Sequence, residues 1–310
     1  MLMCCLALPA FAGSGFAYIT NQGGNTISVI DLASGKAITE IPVGTKPVGV
    51  AIASKSKQVF ITNVESGNVS VIGTEDNKVL KQIAAGSSPV GIAVKADGSH
   101  IFVADWFNNR VLKIDAITGK QLRAIEISRA PAGLALSTDE KVLYVANRDS
   151  NDIAFIDTAS GKVLSRTPVG THPFGIALSP DGARLYSVNV VSDNVSVIDT
   201  ASRKVIATIK VGDHPYCATL NADGSRLYVS NTQADTLSVI DTSNYETLAT
   251  VDVGATPEGV DFSSSQNQIY VASWMENEVT VVDASTNKVV KHIPTGKESR
   301  AFGSFILENR

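Results

Sequence analysis

The sequence has few cysteines. Its 310 residues contain three, Cys4, Cys5 and Cys217, and no Cys-x-x-Cys-His motif for covalent haem attachment. Cys4 and Cys5 fall in an apolar leader that we expect to be removed, so the mature chain would keep one thiol and no disulfide. We therefore expect packing and closure of the chain on itself, and not cross-links, to stabilise the fold.

Charged residues are also scarce. They make up 18% of the chain, the formal net charge is −4, and Lys and Arg form no cluster. This composition argues against a nucleic-acid surface, which needs a basic patch or stripe. The hydrophobic fraction of 44% is what strands buried on both faces require.

No apolar run at the N-terminus is long enough to span a membrane. The run at residues 1–12 has a dozen residues, whereas a spanning helix needs about 20. It ends in Ala10-Phe11-Ala12, a small-residue site that predicts cleavage before Gly13. No basic residue precedes Lys36, so we expect the leader to be the end of a longer signal peptide. We thus predict one domain over residues 13–310, a monomer that is periplasmic or secreted.

What the chain has in abundance is repetition. A motif of the form Tyr-Val-x-Asn returns every 42 residues along the sequence. Its copies begin at Tyr18, Phe60, Phe102, Tyr144, Tyr186, Tyr228 and Tyr270. A period near 40 is typical of the four-stranded blades of β-propellers. Seven copies predict an all-β fold, a seven-bladed propeller of antiparallel blades.

The ends of the chain predict how the ring closes. The strand at residues 16–20 corresponds to the second strand of a blade, and the strand at residues 301–306 corresponds to a first strand. We therefore expect residues 301–306 to pair with residues 16–20 and to complete the N-terminal blade. This pairing would leave no unpaired inner edge.

The repeats resemble those of the YVTN β-propeller family, the YncE-like group of exported seven-bladed proteins. The resemblance covers residues 16–307 and includes the Tyr-Val-x-Asn motif, the Ser-Val-Ile-Asp strand and the Val-Gly-x-x-Pro-x-Gly crossover between blades. It implies the propeller fold but gives no shared catalytic residues, because most members are uncharacterised.

Residues present in nearly every copy are interpreted as structural. The third strand ends in Asp in six copies, at Asp31, Asp115, Asp157, Asp199, Asp241 and Asp283. We expect each carboxylate to cap the turn that follows it. The Asn and the aromatic residue of each motif are assigned to blade structure for the same reason.

Residues that break the pattern are the candidates for function. In a propeller, the crossovers and the loops between strands two and three open on one face, around the central channel. There we predict one polar funnel that binds a ligand off-centre, near the two crossover histidines. Its candidate ligand-binding residues are Lys46, Trp106, Arg148, His172, His214, Tyr216, Glu258, Trp274, Glu298 and Arg300.

His172 and His214 form the sharpest combination in this set. They occupy equivalent positions in adjacent copies, and Cys217 replaces a crossover glycine nearby. Imidazole and thiolate ligands favour copper or zinc, so these three residues are a candidate metal site. Ordinary polarity of the rim is the default interpretation of these histidines.

Three functions stay open at this point. The first is a non-enzymatic propeller that binds a small ligand or docks a periplasmic protein partner. The second is a copper- or zinc-dependent or redox accessory protein that uses His172 and His214. The third is a hydrolase or lyase of the lactonase type, which Thr219 and Asp261 favour slightly because most copies have Ala there.

Overall fold

A computed structural model describes residues 15–308 as a closed ring of β-sheets. The predicted leader at residues 1–12, with Cys4 and Cys5, lies outside the described residues. In chain order the strands are β1 (Gly15–Asn21), β2 (Thr26–Asp31), β3 (Lys36–Pro42), β4 (Pro47–Ala53), β5 (Gln58–Asn63), β6 (Asn68–Gly73), β7 (Lys78–Ala84), β8 (Pro89–Val94), β9 (His100–Asp105), β10 (Arg110–Asp115), β11 (Gln121–Glu126), β12 (Pro131–Leu136), β13 (Val142–Asn147), β14 (Asp152–Asp157), β15 (Val163–Pro168), β16 (Pro173–Leu178), β17 (Arg184–Asn189), β18 (Asn194–Asp199), β19 (Lys204–Lys210), β20 (Pro215–Leu220), β21 (Arg226–Asn231), β22 (Thr236–Asp241), β23 (Thr247–Asp252), β24 (Pro257–Ser263), β25 (Gln268–Ser273), β26 (Glu278–Asp283), β27 (Lys288–Pro294), β28 (Phe302–Gly303) and β29 (Ile306–Glu308).

These strands form seven antiparallel blades, as predicted. Blade 1 has the order β29-β1-β2-β3, and blades 2 to 7 are β4–β7, β8–β11, β12–β15, β16–β19, β20–β23 and β24–β27. Two 3₁₀ turns, Trp106–Asn108 and Arg148–Ser150, are the helical segments of the described residues. No helix within residues 15–308 has the length and apolar character needed to cross a membrane.

The repeated residues build the blades as expected. The aromatic residue of every motif is buried, from Tyr18 in blade 1 to Tyr270 in blade 7. The motif Asn joins strands two and three, as where Asn189 Nδ2 donates to Asn194 Oδ1 at 2.7 Å. The Asp of strand three caps the next turn, as where Asp199 Oδ1 accepts the Ser202 N–H at 2.8 Å. The repeated aromatic, Asn and Asp side chains therefore stabilise the blades.

The ring closes through blade 1 as predicted, but the closing strand has different bounds from the predicted one. The strand that pairs with β1 is β29, with Phe16 opposite Leu307 and Ala17 opposite Ile306. The predicted strand over residues 301–306 is wrong because the chain bulges after Ser299. Ala301 has a φ of 57° and Gly303 a φ of 120°, and β28 turns away to pair in parallel with β4.

Candidate functional site

The candidate site lies on the face where the chain crosses between blades, which we call the crossover face. In every blade the first residue of the loop between strands two and three donates its backbone N–H to a carbonyl of the neighbouring crossover. The acceptor is the residue that precedes the crossover proline, or that precedes Ser299 in the seventh copy. The donor–acceptor pairs are Gln22–Glu298, Val64–Lys46, Trp106–Ser88, Arg148–Ala130, Val190–His172, Thr232–His214 and Trp274–Thr256. The two sets of loops therefore meet on one face, as the sequence predicts.

The backbone fixes the direction of the side chains before the crossover. Six of the seven residues there adopt the left-handed conformation, with φ between 49° for His214 and 58° for Glu298. This conformation is uncommon for residues other than glycine and must be held by neighbouring contacts. The N–H of His172, for instance, donates to Asn151 Oδ1 at 2.9 Å, and that of His214 to Asp193 Oδ1 at 2.9 Å. These hydrogen bonds hold the backbone at the crossovers and so set the direction of the side chains there.

Blade 3 achieves the same support by another route. The position that corresponds to Asn151 is Gly67 in the copy before this crossover, and glycine has no side chain to accept the Ser88 N–H. The N–H groups of Ser87 and Ser88 instead donate to Asp105 Oδ1, at 3.1 and 3.2 Å. Asp105 replaces the motif Asn in this blade, and Arg110 pairs with its second oxygen at 2.9 Å. The change from Asn to Asp therefore compensates for the glycine.

The centre of the crossover face is filled by aromatic side chains. The Phe174 ring lies 4.4 Å from that of Tyr216 and 4.8 Å from that of Phe302, measured between centroids. The Trp106 ring extends over the same group, 5.8 Å from Phe174. We call Trp106, Phe174, Tyr216 and Phe302 the aromatic floor. The centre of the predicted funnel is therefore filled by a packed aromatic surface, because the bulge after Ser299 brings Phe302 into the channel.

Glu258 and Arg300 are directed toward each other beside this floor. The Arg300 guanidinium donates to both carboxylate oxygens of Glu258, through Nε and, at 3.0 Å, through Nη2. Nη2 also donates to the Tyr216 hydroxyl at 2.7 Å. The Glu258 side chain is 8% exposed, and burial raises its pKa although Arg300 opposes the shift. These three predicted site residues thus form one network around the buried Glu258 carboxylate, and Glu258 is not free to contact the histidines.

Arg148 and Lys46 place positive charge on the face. The Arg148 guanidinium lies 5.8 Å from the centroid of the Trp106 ring, within the range of a cation–π contact. It also pairs with Asp149 at 2.6 Å. Lys46 Nζ lies 3.6 Å from Glu298 Oε2, and both side chains are partly exposed. A surface pair of this kind contributes little to stability and can exchange partners.

Three nitrogen-bearing rings complete the set. His172, His214 and Trp274 are each partly exposed at a crossover or in the loop beside one. Nδ1 of His172 and Nε1 of Trp274 are buried and have no hydrogen-bond partner among the described residues. A buried polar atom without a partner is costly, so a bound group or a ring rotation would be favourable at both positions.

The structure does not bring His172, His214 and Cys217 together as a metal site. Among residues 15–308, no three side chains of His, Cys, Asp or Glu are grouped as metal ligands. Cys217 is buried in the same apolar cluster as Phe174 and Phe302. Burial raises the pKa of its thiol, which keeps it protonated and unsuited to metal binding. Cys217 acts here as a small apolar residue in place of glycine.

Two residues that shape this face were not predicted from the sequence. Phe174 and Phe302 cover the channel, and neither was among the predicted site residues, all of which carry a polar or charged group. A signal for Phe302 was available in the seventh copy, where Ser299 replaces the proline of the other six crossovers and Ala301 replaces the glycine found in five of them. Both changes mark the segment as irregular.

Comparison with solved structures supports the fold. The chain is similar to a hydrazine synthase of Kuenenia stuttgartiensis at a TM-score of 0.76 and 22% identity, over 91% of this chain and 99% of that one. A functionally unknown protein from Desulfotomaculum acetoxidans gives a TM-score of 0.84 and 17% identity, over 96% of this chain and 100% of that one. The dihydro-heme d1 dehydrogenase NirN in complex with DHE gives 0.72 and 16%, over 94% and 76%.

Sequence comparison assigns the family. A search of curated proteins gave no match. The family described as the cytochrome D1 heme domain matches residues 7–306, which is nearly the whole chain and all seven blades. The protein therefore belongs to the cytochrome D1 heme domain family.

Proposed function

We propose that this protein is a binding propeller that receives a planar, carboxylate-bearing tetrapyrrole of the haem class on its crossover face. The observation that carries the proposal is the aromatic floor, flanked by Arg148 and by the two crossover histidines. Membership of the cytochrome D1 heme domain family and the similarity to NirN, a dihydro-heme d1 dehydrogenase, favour this ligand class.

The residue types on the face fit such a ligand. Haem iron in proteins is commonly held by a histidine, and His172 has a buried ring nitrogen that lacks a partner. His214, at the equivalent position of the next blade, is the second candidate ligand. Arg148 and Lys46 would bind carboxylates, because guanidinium and ammonium groups donate charge-assisted hydrogen bonds. Trp106 and Tyr216 offer aromatic surface for stacking.

The geometry limits how deep the ligand could lie. Phe174, Tyr216 and Phe302 fill this end of the channel, so the macrocycle would rest on the floor and not between the blades. A ligand held on one face is more accessible than one enclosed in a pocket. The iron would supply Lewis-acid or redox chemistry when bound, and this chain's residues would orient the ring and hold its carboxylates. Such a site suits capture and transfer of the ligand.

We also propose that the protein acts in the periplasm or outside the cell. The proposal depends on the leader predicted at residues 1–12, and intact-mass measurement of the exported protein tests it. A mature chain that begins near Gly13 is expected. A chain that retains residues 1–12 would contradict the proposal.

The ligand proposal is tested by titrating the full chain with iron protoporphyrin and following the Soret band. The double variant His172→Ala/His214→Ala should bind at least about tenfold more weakly, the loss expected for one strong contact to a ligand. The matched control is His100→Ala/His292→Ala, which removes the same number of imidazoles from outside the crossover face and should bind normally. Equal affinity of both double variants and the wild type would contradict the proposal. Parallel titrations with Cu²⁺ and Zn²⁺ alone test the metal alternative.

A further inference from the structure

A cavity lies in the central channel behind the aromatic floor. Its volume is about 370 Å³, and its walls are the middle and later residues of the inner strands β4, β8, β12, β16, β20 and β24. Phe302 and Gly303 close it toward the crossover face, and Pro180 lies at its other end, in a turn of the opposite face. Small-ligand pockets measure roughly 300–1,000 Å³, so this space is large enough for a small molecule.

The cavity wall includes one repeat position at which some blades carry a different type of residue from the others. At the same repeat position the seven copies have Ala51, Ala93, Ala135, Ala177, Thr219, Asp261 and Gly303. Four adjacent blades therefore contribute a methyl group, whereas the next two contribute a hydroxyl and a carboxylate. Ser304, from the bulge that follows, also lines the cavity. The polar groups are thus concentrated on one wall and face an apolar one.

Asp261 is the one carboxylate among the residues that line this cavity. Its Oδ2 accepts the backbone N–H groups of Phe305 and Ile306 at 2.7 and 2.9 Å. Its Oδ1 accepts the Phe262 N–H at 2.9 Å and is 3.4 Å from the Thr219 hydroxyl. No Lys, Arg or His of residues 15–308 forms an ion pair with it. When ionised, the carboxylate is hydrogen-bonded but carries a negative charge that no ion pair among these residues balances.

We propose that the channel cavity is a second binding site, separate from the crossover face, which takes a small organic cation with an ammonium group and a short apolar chain. Asp261 is the counter-ion, and the Thr219 and Ser304 hydroxyls accept the remaining ammonium hydrogens. Val94, Leu136 and Leu178 receive the apolar chain. The attraction between the ammonium group and the carboxylate is stronger in the channel, where less water surrounds them, than in bulk water.

The test uses n-butylammonium as the probe and n-butanol as its uncharged match, with isoleucine methyl shifts as the readout. Ile52, Ile92 and Ile176 line the cavity, and the exposed Ile38 and Ile117 serve as controls. At pH 8 we expect butylammonium to shift the first set with saturation and to leave the second set unchanged. Butanol should bind at least about tenfold more weakly, because it lacks the charge-assisted contact.

Two variants separate the site from general effects on folding. Asp261→Asn should weaken butylammonium binding at least about tenfold without changing binding of butanol. Ala135→Leu keeps the carboxylate and reduces the space beside the apolar wall of the cavity. It should therefore weaken the binding of both probes, and it tests the site even if Asp261→Asn fails to fold. Equal binding of the two probes to the wild type, or shifts spread over both sets of isoleucines, would overturn the proposal. Neither result bears on binding at the crossover face.

Discussion

The Nη2 of Arg300 donates a 3.0 Å hydrogen bond to Oε1 of Glu258, and the two residues occupy the same repeat position in adjacent blades. Their pairing joins blade 7 to the closing segment of blade 1 beside the aromatic floor. Arg300→Met should lower the free energy of unfolding by about 3–5 kcal/mol, because it leaves the buried Glu258 carboxylate without its partner. Urea denaturation measures this loss.

The control for this variant replaces both partners. Glu258→Leu/Arg300→Met should recover most of the stability, since no unpaired charge is then buried. If the single and the double variant were equally unstable, the contribution of Arg300 would lie in packing and not in charge pairing.

Asp105 should be more sensitive to substitution than the Asn of other blades. Burial alone would raise the pKa of Asp105, but hydrogen bonds from Asn108, Arg110 and the N–H groups of Ser88 and Ser87 lower it below its usual value. Asp105→Asn should cost about 1–3 kcal/mol, the range for loss of hydrogen bonds to a charged group. Because a lowered folded pKa gives stability that is lost as pH falls through it, the cost should shrink in acid.

Asn189→Asp in blade 5 is the matched control for Asp105. It creates a buried carboxylate where no Arg corresponds to Arg110, so it should destabilise the protein. If Asn189→Asp were as stable as the wild type and Asp105→Asn also left the stability unchanged, Asp105 would not compensate for the missing side chain at Gly67.

The pH dependence of stability should show a contribution from Asp261. Burial raises its pKa to about 6, although N–H groups of Ile306, Phe262 and Phe305 oppose the shift. A raised folded pKa means that protons bind more tightly to the folded state. The stabilising contribution is therefore complete below about pH 4, the usual value for Asp, and is lost as pH rises through 6. The free energy of unfolding of the wild type, relative to that of Asp261→Asn, should fall between pH 4.5 and 7.5. Plots of this free energy against pH that run parallel for the two proteins would contradict the prediction.

Closure of the ring should depend on the last strand. Removing residues 301–310 deletes β28 and β29, exposes the edge of β1 and leaves Asp261 without the N–H groups of Phe305 and Ile306. The melting temperature should fall by more than about 10 °C, since this removes a strand from a cooperative closed fold. Removal of residues 309–310 alone is the control and should change it little. An unchanged melting temperature in the longer deletion would show that blade 1 is stable without its inner strand.

The sequence was sufficient to predict the number of blades, the strand order and the face on which the loops meet, because each depends on a motif present in every copy. The bounds of the closing strand were not predictable by repetition, since Ser299 and Ala301 depart from the other copies and allow the bulge. The pairing of Glu258 with Arg300 could have been inferred, because residues 42 apart are neighbours across blades. The filling of the channel by Phe302 follows from the bulge and was missed with it.

The central claim is that the crossover face is the binding face, and hydrogen–deuterium exchange with and without iron protoporphyrin tests it most directly. We expect slower exchange in the loops at residues 106–109, 148–151 and 190–193 and at the crossovers before Pro173 and Pro215. The turns of the opposite face, at residues 95–99, 137–141 and 179–183, should exchange at the same rate in both samples. Protection confined to those opposite turns, or none in any loop at saturating ligand, would contradict the account.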